Sequence, residues 1–173
     1  MSENVQRRPR LIGSEEVSID EKGRVLLSKK KRERLGKNFA IVLSPLGCLI
    51  VYPEARFDEI YDQVAPGSGY DPSQEALSRM FLGEADDEQD VDAQGRYLVP
   101  AKLREKAGLA DKVSVRGMGD RLEIWAKKSW DEYYDDPDSY KAARVKQFGK
   151  IFERAIYGPL GADPYSSNPG VSE

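Results

Sequence analysis

A chain of 173 residues is long enough for one ordinary domain or two small ones with a modest core. One third of the residues are charged, no apolar run approaches the roughly eighteen residues of a membrane span, and a single cysteine excludes an intramolecular disulfide. The absence of histidine removes the commonest general base, the Ser-His-Asp and Cys-His arrangements and most zinc sites, leaving the composition expected of a soluble cytoplasmic protein.

Residues 1–10, with Arg7, Arg8 and Arg10, read as a flexible arm without the apolar stretch of a signal peptide. Val17 and Ile19 alternate with Ser18 and Asp20 into the polar loop Asp20-Glu21-Lys22-Gly23-Arg24, and Val25-Leu26-Leu27 returns from it. This pattern predicts a β-hairpin whose Gly23 takes the positive-φ position of the turn. Ser28 is the expected N-cap of a short cationic helix, Lys29 to Leu35, closed by Gly36. Phe39 to Leu43 and Cys48 to Tyr52 flank Ser44-Pro45-Leu46-Gly47 as a second hairpin, in which Cys48 is a small buried hydrophobe. Pro53 then opens a helix carrying Phe57, Ile60, Tyr61 and Val64 at helical spacing.

Ala65-Pro66-Gly67-Ser68-Gly69-Tyr70 reads as a linker, since no strand precedes its glycines and no Gly-Lys-Ser/Thr follows. Asp71 as N-cap and Pro72 at the first helical position start another helix, with Ala76, Leu77, Met80 and Phe81 as its stripe and Gly83 as its stop. An acidic run over 84–90 follows.

The opening pattern then returns 72 residues later as Val91-Asp92-Ala93-Gln94-Gly95-Arg96-Tyr97-Leu98-Val99. Pro100 to Ala107 is the helix of this second copy, ending at Gly108 as the first ended at Gly36. Val113 to Val115 and Leu122 to Trp125 form its second hairpin around Gly117-Met118-Gly119-Asp120. That turn is one residue longer, so Trp125 corresponds to Tyr52 and Trp130 to Phe57, and Ser129-Trp130-Asp131-Glu132 reads as a capping box. The organisation is therefore an arm at 1–10, a first repeat at 11–64, a linker and connecting helix at 65–83 and a second repeat at 84–135. A long helix at 136–157, striped by Val145, Phe148, Ile151, Phe152, Ala155 and Ile156, and a disordered tail at 158–173 complete it.

The net charge of −3 hides an uneven distribution. Between Lys22 and Lys37 eight basic residues stand against one acid, Glu33, while acids gather at 84–90 and 131–136. Such sorting can offer one positive face to a polyanion. Carboxylates occur in runs, and none is singled out by an apolar setting that would tune its pKa. Neither an enzyme nor a cofactor nor a metal is expected.

The duplicated loop admits two readings. In one, Asp20 and Asp92 cap their own turns and Arg24 and Arg96 merely pair with them. In the other, the loops recognise DNA: a two-stranded ribbon fits the major groove, where Arg bonds guanine and Gln bonds adenine. The repetition of Lys22/Gln94 and Arg24/Arg96, each with a basic helix behind it, favours recognition. Lys29, Lys30, Arg32, Lys102 and Arg104 would then hold phosphates, with Gly23 and Gly95 shaping the turns.

IDEKGRVLL and VDAQGRYLVPAKLREKAGL, with GCLIVYP in the first half and DRLEIWAKKSWDEY in the second, closely resemble the MraZ family of bacterial transcriptional regulators over roughly Leu11 to Tyr134. The resemblance implies an α+β fold: a tandem pseudo-twofold swapped-hairpin (AbrB-like) β-barrel with peripheral short helices and a C-terminal helix. It also implies a cytoplasmic, nucleoid-associated homo-oligomer, a ring, that binds double-stranded DNA at promoter repeats of the cell-division and cell-wall gene cluster. The family's motif falls on Asp20 and Arg24 and on Asp92 and Arg96. This chain departs from the family in its first ten residues and in Ser28-Lys29-Lys30-Lys31, where a Leu/Pro-Ala-Lys-Phe type of helix start is usual. Two other readings stay open: an AbrB-type antitoxin or transition-state regulator, which usually carries one hairpin unit per chain, and an oligomeric interaction scaffold that uses no nucleic acid.

Overall fold

The computed structural model describes residues 10–135, apart from Ser68, Tyr70, Glu88 and Asp90. The arm before residue 10, the helix expected at 136–157 and the tail at 158–173 lie outside the described residues. The chain divides into two units after Trp130, and of the second only the end of one helix is described.

The elements in chain order are β1 (Leu11–Ser18), β2 (Arg24–Val25), α1 (Lys29–Leu35), β3 (Phe39–Leu43), β4 (Leu49–Pro53), α2 (Glu54–Val64) and α3 (Pro72–Phe81). After a 3₁₀ turn at Leu82–Glu84 come β5 (Tyr97–Leu98), α4 (Ala101–Lys106), β6 (Lys112–Gly119), β7 (Leu122–Ala126) and α5 (Lys127–Asp135). The caps follow the sequence unevenly. Asp71 accepts from the Ser73 and Gln74 N–H groups at 2.9 and 3.4 Å, with Pro72 opening α3 as expected. Ser28 holds the N-cap position of α1, yet its hydroxyl makes no capping bond; its own N–H donates to Glu15 at 3.1 Å. Pro53 ends β4 and precedes the first residue of α2. The Ser129–Glu132 capping box does not open α5, which begins two residues earlier, straight from β7, as α2 runs straight from β4.

The strands interleave the two copies. The second hairpins form as predicted, β3 with β4 and β6 with β7, and then join edge to edge through Leu49–Ile124, Ile50–Glu123 and Val51–Leu122. β1 adds along the whole of β6, giving an antiparallel five-stranded sheet in the order β1-β6-β7-β4-β3. Gly117 makes this possible, because a Cβ there would come within 2.5 Å of the Ile12 backbone. β6 therefore runs on to Gly119, and the turn shrinks to Gly119-Asp120, with Gly119 at φ 95° and the Met118 N–H donating to the Arg121 carbonyl.

The Asp-x-x-Gly-Arg loops do turn, but the hairpin stalk predicted beneath each one is reduced to a single bridge, Ile19 with Val25 and Val91 with Tyr97. The two return strands pair with each other instead. Arg24 lies opposite Leu98 and Val25 opposite Tyr97, making a two-stranded ribbon from both copies. This pairing sets Val25, Leu27, Tyr97 and Val99, each at most 2% exposed, over one core.

That core draws on both copies, with Leu11, Leu35, Ile41, Leu49 and Val51 from the first and Leu103, Val113, Val115, Leu122 and Ile124 from the second. Each fully buried aliphatic side chain contributes about 1.5–3 kcal/mol. β3 is buried on both faces. Phe39 and Ile41 point into the main core, whereas Ala40 and Val42 pack with Tyr52 and Phe57 beneath α2 and α3, which explains its unbroken apolar run. The result is a mixed α+β fold in which the sheet, the ribbon and two short helices fix the positions of both loops.

Candidate nucleic-acid interface

Each loop is built on its aspartate. Asp20 Oδ1 accepts from the Lys22 and Arg24 N–H groups at 3.0 and 2.9 Å, and Oδ2 accepts from Arg24 Nε at 2.7 Å. Asp92 repeats this with Gln94 N–H, Arg96 N–H and Arg96 Nε at 3.0, 2.9 and 2.8 Å. Gly23 and Gly95 close the turns with φ 83° and 79°, donating to the carbonyls of Asp20 and Asp92. The loops also meet: Arg24 Nη1 lies 3.5 Å from Asp92 Oδ2 and Arg96 Nη1 lies 3.7 Å from Asp20 Oδ2. Four side chains from sequence-distant repeats thus make one reciprocal ion cluster.

Both carboxylates are held below the ordinary value of 3.8. At Asp20 the Arg24 N–H is the main cause, ahead of a burial effect that opposes it. At Asp92 burial is the largest single influence and raises the pKa, but the Arg96 backbone and side chain together with the Gln94 N–H outweigh it. Each arginine spends Nε and Nη1 on aspartate. A guanidinium carries five N–H donors, so each arginine has donors beyond those the aspartates accept. Lys22 and Gln94 stand exposed at the loop tips, and Gln94 Oε1 also accepts from Arg96 Nη2 at 3.2 Å.

The helices support the loops crosswise. The Arg104 guanidinium, from α4 of the second copy, lies against Gly23 of the first; Arg32, from α1 of the first, lies against Gly95 of the second. Arg32 also donates from Nε to the Leu27 carbonyl at 3.0 Å. Each of these two arginines thus lies against the turn glycine of the other copy's loop. The other cations of the run diverge. Lys31 is buried beside Glu15 at 3.6 Å, and Arg34 donates to the Arg10 carbonyl. Lys29 faces Glu33 at 3.8 Å and remains exposed, as does Lys30. Lys102 is exposed but lies 3.4 Å from Glu84, which Lys106 also holds at 2.7 Å.

Two ribbon residues escaped sequence reasoning. Leu26 and Leu98 are exposed at matching positions, each flanked by buried neighbours. Strict alternation through Arg24-Val25-Leu26-Leu27 and Arg96-Tyr97-Leu98-Val99 was the signal that both turn outward. Among the described residues no group of three or more Cys, Asp or Glu side chains is placed to hold a metal, and no helix is long and apolar enough to cross a membrane.

A family model described as "MraZ protein, putative antitoxin-like" matches the chain twice, over residues 11–80 and 80–149. Proteins named transcriptional regulator MraZ are similar to it over most of their length. That of Finegoldia magna is 36% identical over 69% of this chain and 82% of its own, and that of Thermoanaerobacter sp. is 38% identical over 74% and 89%. That of Saccharopolyspora erythraea is 34% identical over 82% of this chain and 99% of its own. These relatives are named as regulators, not enzymes, and the two family matches together span both Asp-x-x-Gly-Arg loops and the strands that carry them. The chain belongs to the MraZ family.

Proposed function

We propose that this chain is a sequence-specific DNA-binding transcription regulator that presents its paired loops to a duplex. The observation that supports this best is the convergence of the two loops, with Arg24 within 3.5 Å of Asp92 and Arg96 within 3.7 Å of Asp20. Two guanidiniums and the Lys22 and Gln94 tips then share one rigid surface, and rigidity lowers the ordering cost of binding. Lys29, Lys30, Arg32, Lys102 and Arg104 are the candidates for phosphate contacts around it. In this reading the sheet and ribbon are walls of the swapped-hairpin barrel that the family resemblance implies. The protein works in the cytoplasm on the nucleoid, as a ring-shaped homo-oligomer whose repeated weak contacts combine on promoter repeats of the cell-division and cell-wall genes.

Footprinting the purified protein on DNA upstream of its own gene tests the proposal. Protection of two or more spaced repeats is expected, with affinity falling by about 0.9 log unit per log unit of salt for every phosphate neutralised. Uniform or absent protection contradicts it.

A further inference from the structure

The outward face of the ribbon carries four residues in an alternating pattern. Arg24 lies opposite Leu98, and carrying the register one residue past the last pair, Val25 with Tyr97, sets Leu26 opposite Arg96. The inward positions between them, Val25, Leu27, Tyr97 and Val99, are sealed in the core, whereas Leu26 and Leu98 are 44% and 42% exposed. The core is complete without these leucines, and both copies of the repeat carry one at the same outward position.

We propose that Leu26 and Leu98 are specificity-determining residues that pack on the 5-methyl groups of thymines in the major groove, beside the bases met by Arg24 and Arg96. This inference rests on the DNA-binding function proposed above. A leucine and an arginine directly opposite on a ribbon stand about 5 Å apart at Cβ, so neighbouring base pairs, about 3.4 Å apart along the duplex, fall within reach of both. The major groove offers methyl groups and hydrogen-bond acceptors side by side, which an alternating Leu/Arg face matches. A second copy of this chain fits worse. Docking an apolar surface on the leucines would bury the Asp20, Asp92, Arg24 and Arg96 cluster, and removing ions from water costs several kcal/mol each.

The experiment compares duplexes from the footprinted region that contain thymine with duplexes in which uracil replaces it, removing the methyl groups while keeping the hydrogen-bonding edges. Each buried methyl is worth about fourfold in affinity, so the wild-type protein should bind the uracil duplex about tenfold more weakly. Leu26→Ala/Leu98→Ala should lose about tenfold on the thymine duplex and show little further loss on uracil. Equal binding of the two duplexes by the wild type, or an unchanged affinity of the double variant, overturns the contact while leaving the DNA-binding function standing. Failure of the wild type to bind either duplex overturns both. A change of subunit number in the double variant by light scattering assigns the leucines to an interface between copies and likewise overturns the proposal.

Discussion

Arg104 lies against the α-carbon of Gly23, so that a Cβ at this position would overlap its guanidinium. The mirror relationship joins Arg32 to Gly95, and each copy of the repeat therefore braces the loop of the other. Gly23 is needed twice over, for its φ of 83° and for the space Arg104 occupies. Gly23→Ala should destabilise by about 1–3 kcal/mol. In an Arg104→Ala background the overlap is gone and the same change should fall to about 1 kcal/mol, the backbone part alone. Gly36, at φ 87° with nothing near its Cβ direction, supplies the control, with a backbone cost of about 1–3 kcal/mol that does not depend on what stands at 104. Urea denaturation of the single and double variants measures this coupling.

Acid should loosen the loops. Asp20 and Asp92 titrate below their ordinary 3.8 in the folded chain, so the unfolded chain binds protons first as pH falls. Their stabilisation is present in full above that value and is lost as pH drops through the lower folded pKa. Glu84 acts in the same direction, its carboxylate held below 4.5 chiefly by Lys106. Stability measured by urea midpoints should decline below about pH 4, and Asp20→Asn/Asp92→Asn should flatten the decline without abolishing it.

The thiol of Cys48 should be inert while the chain is folded. Burial and, next, the Glu123 charge push its pKa up to about 11, and the side chain is fully enclosed. At pH 8 only about a thousandth of the thiol is ionised. Labelling with a disulfide reagent should be slow in buffer and rapid in urea, and a fast native reaction would contradict the burial.

Tyr97 tests the cost of a buried hydroxyl. Its ring meets Phe39 edge-on at a centroid distance of 5.5 Å, yet its Oη has no hydrogen-bond partner among the described residues, and burial raises its pKa. Val25 is its counterpart in the first copy, so the position asks for apolar bulk. Tyr97→Phe should leave stability unchanged or raise it by up to about 2 kcal/mol in thermal or urea melts.

Much of this was legible in the residues because local rules decided it. The α1 and β3 limits, the Asp71-Pro72 helix start, the Ser44–Gly47 turn and the positive φ of Gly23 and Gly95 all follow from periodicity and turn chemistry. What stayed hidden was pairing between copies. Two identical hairpin signals cannot say whether β2 returns along its own strand or joins β5, since either choice buries Val25. The strand Leu11–Ser18 was missed in part because Gly13 and Ser14 interrupt its alternation, and only its long partner β6 defines it. At the loops the aspartates cap their turns and pair with arginine, as the first reading expected, and that pairing fixes where the guanidiniums stand. That Arg32 and Arg104 each lie against a glycine of the other copy was hidden too, because charge alone does not reveal a neighbour across the fold.

Arg24 and Arg96 are the residues proposed to meet DNA. The most direct measurement is the affinity of Arg24→Ala/Arg96→Ala for the footprinted duplex at fixed salt, alongside its melting temperature and subunit number. Loss of two specific arginine contacts should cost about 2–6 kcal/mol, a fall of roughly thirtyfold or more, with assembly unchanged. Wild-type affinity in a folded, correctly assembled double variant would contradict it.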